Sequence, residues 1–524
     1  MRRTASVLAL AVIAIVATGC SSSATMAPQN QPPDHNRYTP APVVYPRLTP
    51  APAYRAAPSP AGEVAVPTPY DATTFQDPGV NPYVDATEDN QSTFALDVDT
   101  ASYTVGRRFV TDGNMPDPAS VRVEEWVNYF DQGYAPPESG AFAIYADGAP
   151  TPFLSRDEVL LRLGVKAAEI SRHQRPPAAL TFVIDTSGSM AREDRIELVK
   201  RSLDLLVDQL RPDDTVAIVA FSTDARVILG PTRGTAKDTI RRAIDVLQPE
   251  NTTNAEAGLR LGYGLAREQF LEGGINRVVL ASDGVANVGS TDPESILREV
   301  RSDASTGIQL VSVGVGMGNY NDTLLEQLAD QGDGFYAYID TLEEARRLFV
   351  EDLVQTLDTV ALDAKAQVEF NPDVVAAYRL IGYENRAVAD QDFRDNSVDA
   401  GAIGSGHSVT ALYGLRLRDG IRPGDRVATM SLRWTDPATN RAVEIARDVN
   451  GEDFDRDFAA TSEHFKLDAL VAAAAEVFRG SPWIEGYRIR DLLEVTDGLA
   501  NDLPRTSQVS DFLDLLDQAS RIER

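Results

Sequence analysis

Three continuous apolar runs constrain this chain most: ALTFVID at Ala179–Asp185, TVAIVAF at Thr215–Phe221 and RVVLAS at Arg277–Ser282. None alternates apolar with polar residues, so each predicts a strand buried on both faces. Between and after them the pattern is helical. The period predicts helices over Ile196–Leu210, Ala236–Leu247, Ala255–Phe270, Glu294–Ser302, Asp322–Ala329 and Leu342–Thr356, with further strands at Gln309–Val315 and Gly334–Ile339. Strands alternating with helices imply an α/β domain over 176–359, a doubly wound, mostly parallel sheet with helices on both faces. Ligands of such sheets bind beyond the carboxyl ends of the strands.

The first run ends there in a chemically loaded loop, Asp185-Thr186-Ser187-Gly188-Ser189-Met190. A carboxylate and two hydroxyls at alternate positions can converge on one point. Hard oxygen donors without Cys or His suit Mg²⁺, with Ca²⁺ or Mn²⁺ as alternatives. Amides at the start of the following helix add favourable dipoles. Taken alone, the same loop also suits a plain helix cap.

With two more loops the pattern resembles the metal-ion-dependent adhesion site (MIDAS) of von Willebrand factor type A (VWA) domains, which are Rossmann-like. That family needs a Thr from a second loop, and Asn251-Thr252-Thr253-Asn254 before Ala257-Gly258-Leu259 offers Thr253. It needs an Asp after a buried strand, and Ser282-Asp283-Gly284 offers Asp283. The resemblance implies that Ser187, Ser189 and Thr253 bind the metal directly, with Asp185 and Asp283 bound directly or through water. It further implies a protein partner whose acidic side chain completes the coordination.

The chain begins MRRTASVLALAVIAIVATGC. Arg2 and Arg3 precede an apolar stretch, Val7–Val16, too short to span a bilayer, and small residues lead into Cys20, the single cysteine of the chain. This resembles the lipobox of bacterial lipoproteins, which implies a signal peptide over 1–19, lipidation of Cys20 and a membrane anchor through that lipid. Ser21 after the cysteine implies, by the same resemblance, outer-membrane sorting in the cell envelope. Residues 20–85, rich in Pro and Ala, read as an extended tether with too little apolar content for a core.

Flanking segments surround the α/β domain. Over 86–175 the expectation is a strand at Thr93–Val98, helices at Ala101–Asp112 and Val121–Phe130, and a β run at Val159–Val165. Over 360–524, β runs (AKAQVEF, AAYRLIGY, SVTALYGLRL, DRVATMSLRW, RAVEIAR) precede helices near Phe465–Phe478 and Val509–Ile522. Both flanks resemble those of a family of bacterial VWA lipoproteins, which implies an α/β domain inserted into a β-rich, sandwich-like frame.

The net charge of −29 disfavours nucleic acid and suits cations or basic partners. Asp97-Val98-Asp99-Thr100 partly resembles a haloacid-dehalogenase nucleophile loop, but Ala101 stands where that pattern wants Thr or Val. A calcium, capping or solvation role is expected there instead. Gly314-Val315-Gly316-Met317-Gly318 lacks dinucleotide spacing and reads as a turn near the metal face. The four histidines (His35, His173, His407, His464) are scattered. The resulting expectation is a non-enzymatic, metal-dependent protein-binding or assembly module. A metal-dependent hydrolase or phosphatase and a purely structural envelope protein are the alternatives.

Overall fold

A computed structural model describes residues 75–96, 99–171, 175–250, 252–284, 293–317, 322–352, 358–396, 398, 400–454, 457–499 and 501–523. The leader, residues 20–74 of the expected tether with Cys20, Asp97 and Gly318 lie outside the described residues, as do His35 and His173. Residues 75–85, expected as part of the tether, join the fold instead: Asn81 Nδ2 donates to the Gly382 carbonyl at 2.8 Å, and Val84–Asp85 pairs with Val375–Ile381.

The predicted α/β sheet is present with six strands. Their spatial order is Tyr336–Ile339, Ile308–Val315, Ile275–Ser282, Ala178–Asp185, Thr215–Phe221 and Ala225–Arg233. The first five run parallel, and Ala225–Arg233 closes the edge antiparallel to its neighbour. Ala178–Asp185 and Ile275–Ser282 are buried throughout, as mostly apolar, non-alternating runs demand when helices cover both faces; Asn276 and Arg277 are buried with the rest. On one face Val199, Leu203 and Leu206 of the helix Arg195–Gln209 and Ile240 of Lys237–Asp245 pack against Phe182 and Ile218. On the other, Leu259 and Tyr263 of the helix Ala255–Glu268 meet Val183 and Val219. The helix predicted over Leu342–Thr356 is α-helical only to Arg346 and continues as π-helix over Arg347–Asp352.

Chain from both sides of this domain builds two antiparallel sheets. In the first, Val84–Asp85, Val375–Ile381, Ser408–Leu417, Glu158–Ala167 and Phe142–Ala149 are neighbours in that order. Ser408–Leu417 therefore pairs with a strand some 250 residues earlier, Leu412 standing opposite Arg162. In the second, Thr359–Phe370 lies between Ala402–Gly404 and Arg426–Asp436, Arg441–Asn450 follows, and Gln91–Ala95 pairs with Thr359–Phe370. The two sheets meet face to face. Phe142 of the first packs edge-on to Trp434 of the second at 4.9 Å, and Phe370 of the second stacks on Tyr378 of the first at 4.3 Å.

The outer face of the first sheet is covered by helices Val123–Asn128, Glu463–Phe478, Ile489–Leu499 and Ser507–Ile522, with Trp126, Leu470 and Phe512 packed near Leu160 and Leu412. Helix Ala101–Thr111 joins the frame to the α/β domain. Its Tyr103 faces this helical core, while Ala101, Val105 and Phe109 face the core around Leu259 and Tyr338. Among the described residues no helix is long and apolar enough to cross a membrane.

Candidate metal centre

Asp185 ends the central strand of the α/β sheet and is fully buried. Parallel pairing with the strands on both sides brings three loops to the same sheet end. Asp185 Oδ1 accepts the Ser187 backbone N–H at 2.8 Å, curling the loop back on itself, and Oδ2 accepts the Ser282 hydroxyl at 2.6 Å. The hydroxyls of Ser187 and Ser189 are 2.9 Å apart, and Ser189 donates to Asp283 Oδ1 at 2.9 Å. Four of the five residues singled out in the sequence thus form one connected cluster of oxygens.

Thr253 sits apart from that hydrogen-bonded chain. It lies just before the helix Ala255–Glu268, whose N-cap Asn254 accepts the Ala257 N–H at 3.1 Å. The loop itself is fastened to the site: Glu250 N–H donates to the Thr186 carbonyl at 2.6 Å, and the Thr252 and Thr223 hydroxyls are 2.6 Å apart. The Thr253 hydroxyl makes no hydrogen bond to the other four residues.

The donor set is oxygen only, as a hard divalent cation requires. Burial, and after it the nearby Asp283 charge, push the Asp185 carboxyl up to about 6, against the opposing hydrogen bonds from Ser282 and Ser187. One cation is already built in. Arg195 Nη1 donates to Asp283 Oδ2 at 2.6 Å, and both side chains are almost wholly buried. Sequence reasoning missed Arg195, because nothing in the polar stretch Arg192–Arg195 separates that arginine from the charged residues beside it.

A second buried carboxylate group lies elsewhere. Asp99, Glu125 and Glu326 approach within 4.8 Å of one another. Arginines already occupy it: Arg122 reaches Glu125 at 3.3 Å and Glu326 at 2.8 Å, and Arg386 reaches Asp99 at 2.9 Å and Glu326 at 3.0 Å. Asp99 also accepts the Tyr336 N–H at 2.8 Å, so it ties the frame to the α/β domain.

Residues 179–356 match the von Willebrand factor type A domain family, residues 69–162 match a von Willebrand factor family, and residues 355–522 match "Uncharacterized protein YfbK, C-terminal". The chain is 38% identical over 464 residues to Uncharacterized protein YfbK of Escherichia coli K12, covering 84% of this chain and 79% of that protein. It is 27% identical over 301 residues to Uncharacterized protein sll0103 of Synechocystis sp., covering 56% and 69% respectively. Human inter-alpha-trypsin inhibitor heavy chain H4 is 30% identical over 166 residues, 30% of this chain and 18% of that protein. Among solved structures, a von Willebrand factor type A protein from Catenulispora acidiphila is 15% identical with a TM-score of 0.43, over 74% of this chain and 91% of that one. This chain belongs to the YfbK family of von Willebrand factor type A domain proteins.

Proposed function

We propose that this chain is an envelope-anchored, metal-dependent protein-binding or assembly module. A divalent cation, Mg²⁺ by donor hardness, is held by Asp185, Ser187, Ser189, Thr253 and Asp283, and a partner's carboxylate completes its shell. The observation that carries this reading is the connected cluster Asp185–Ser187–Ser189–Asp283 at the carboxyl end of adjacent parallel strands. A cation among these oxygens would offset the cost of two buried carboxylates lying side by side. The chain's own residues then have separate tasks. Asp185 supplies charge and holds the loop through the Ser187 N–H. Ser282 orients Asp185, and Ser187 and Ser189 present hydroxyls. The cation supplies an electrophilic point for an acidic side chain.

The anchor is the Cys20 thiol, lipidated before residues 1–19 are removed, with the Pro- and Ala-rich stretch after it as a tether. Cys20→Ala should release the chain from membranes on fractionation.

Thermal unfolding of the full chain, with chelator and with Mg²⁺, Ca²⁺ or Mn²⁺, tests the site. Metal at about 100 times its dissociation constant stabilises a site of this kind by about 2.7 kcal/mol, and Asp185→Ala should abolish the shift. Envelope pull-downs that lose no partner in Asp185→Ala would sink the binding role. Turnover of model phosphoesters lost in Asp185→Ala would favour a hydrolase instead.

A further inference from the structure

The feature of the site that the metal reading leaves unused is its internal cation. Arg195 opens the helix Arg195–Gln209, is 3% exposed, and holds Asp283 Oδ2 through Nη1 at 2.6 Å. Its Nη2 donates to the Met317 carbonyl, so the turn after the strand Ile308–Val315 grips the guanidinium from the far side. That turn is shaped around it. Gly316 has φ +70°, and a Cβ there would stand 2.1 Å from Arg195 Nε. The two oxygens of Asp283 are thereby divided, Oδ1 toward Ser189 and Oδ2 toward Arg195.

The charges decide what this arrangement does. Asp185, Asp283 and Arg195 together carry one negative charge, so a divalent cation leaves the loaded site one positive charge in excess. Without Arg195, the cation alone would neutralise the two carboxylates. A guanidinium does not shed its proton at any physiological pH, and burial removes it from salt screening. Its repulsion of a nearby dication is therefore permanent.

We propose that Arg195 is a positioning residue that sets the charge of the centre, so that metal binds weakly by itself and tightly together with an incoming carboxylate. The proposal rests on the metal reading above. It names the chemistry of the partner group as a single anionic oxygen ligand, and it makes metal and partner binding reciprocal: each raises the affinity of the other by the same factor.

The test is a Mn²⁺ titration of the full chain, free ion being read by electron paramagnetic resonance, with and without acetate as the carboxylate probe at constant ionic strength. Arg195→Gln should bind Mn²⁺ about tenfold tighter or more, and the tightening that acetate gives the unaltered chain should vanish. Arg195→Lys keeps the charge and should behave as the unaltered chain. Gly316→Ala pushes the guanidinium off Asp283 without altering any ligand, and should move the affinity in the same direction as Arg195→Gln. It also carries the test if Arg195→Gln fails to fold. A merely structural lesion would weaken the site, so a gain in affinity is diagnostic. Unchanged or weaker Mn²⁺ binding in Arg195→Gln and Gly316→Ala, beside clear binding by the unaltered chain, overturns the role given to Arg195. No Mn²⁺ binding by any of these chains overturns the metal reading and this inference with it.

Discussion

Arg386 Nη2 lies 2.9 Å from Asp99 Oδ2, joining two residues separated by 287 positions at the point where the flanking frame meets the α/β domain. The same nitrogen reaches Glu326 at 3.0 Å, and Nη1 reaches Asp330 at 3.3 Å. Removing one member of a buried ion network leaves its opposite charges under-compensated, which costs about 3–5 kcal/mol. Arg386→Met should therefore lower stability by about that much in urea unfolding. Asp99→Asn combined with Arg386→Met should cost less than the two single changes added together, because it removes both charges. Additive losses would mean that Asp99 and Arg386 are not energetically coupled.

Two glycines of the helix Ala255–Glu268 predict opposite signs for the same substitution. Glycine to alanine in a helix interior gains about 1 kcal/mol from propensity alone. At Gly264 a Cβ would meet nothing within 4 Å, so Gly264→Ala should stabilise by about that amount. At Gly262 it would lie 2.3 Å from Val183 Cγ2, on a central strand that has no room to retreat. Overpacking of about 1–3 kcal/mol outweighs the propensity gain, so Gly262→Ala should be destabilising by thermal melting. Equal shifts in the two variants would contradict the close approach of helix and strand.

Burial first, then the Lys166, Arg347 and Arg277 charges, push the His407 imidazole down to about 4. A histidine whose folded value is depressed contributes stability that is fully present above its unfolded value of about 6.5, and loses it as pH falls toward 4. The unfolded chain takes the proton first in that window. From pH 7 to 4.5 the unaltered chain should lose about 2–3 kcal/mol more than His407→Gln in urea unfolding at matched pH. Parallel pH curves for the two proteins would show that His407 titrates normally.

The α/β domain was legible because its central strands announce themselves. Ala178–Asp185, Thr215–Phe221 and Ile275–Ser282 are mostly apolar and do not alternate with polar residues, and the predicted bounds fall within three residues of the observed ones. The edge strand Ala225–Arg233 was missed because it has no buried face to impose a pattern: it is half-exposed or exposed along its length and contains Gly230 and Pro231. Helix Ile489–Leu499 was missed too, lying in a polar stretch after Gly486 with only Ile489, Leu492, Thr496 and Leu499 buried. The pairing of Ser408–Leu417 with Glu158–Ala167 is set by packing between distant segments, and no local signal encodes it. At the site, Asp185, Ser187 and Ser189 were legible as alternate oxygen donors on one loop, and Asp283 only through the resemblance to von Willebrand factor type A domains. The Ser282 contact and Arg195 were not, because their roles arise only when three loops meet.

That meeting yields a contrast between two hydroxyls. Ser282 donates to the buried Asp185 at 2.6 Å, so Ser282→Ala leaves a carboxylate oxygen short of a partner and should cost about 1–3 kcal/mol even in chelator. Thr253 is half-buried and makes no hydrogen bond to the other site residues. Thr253→Ala should therefore lie within about 0.5 kcal/mol of the unaltered chain in chelator. Under the metal reading it should lose much of the stabilisation that Mg²⁺ confers, because it removes a direct ligand. Differential scanning calorimetry of both variants, with Mg²⁺ and with chelator, separates the two roles. An undiminished Mg²⁺ shift in Thr253→Ala would remove Thr253 from the ligand set, and a loss of stability in chelator would assign it to the fold instead.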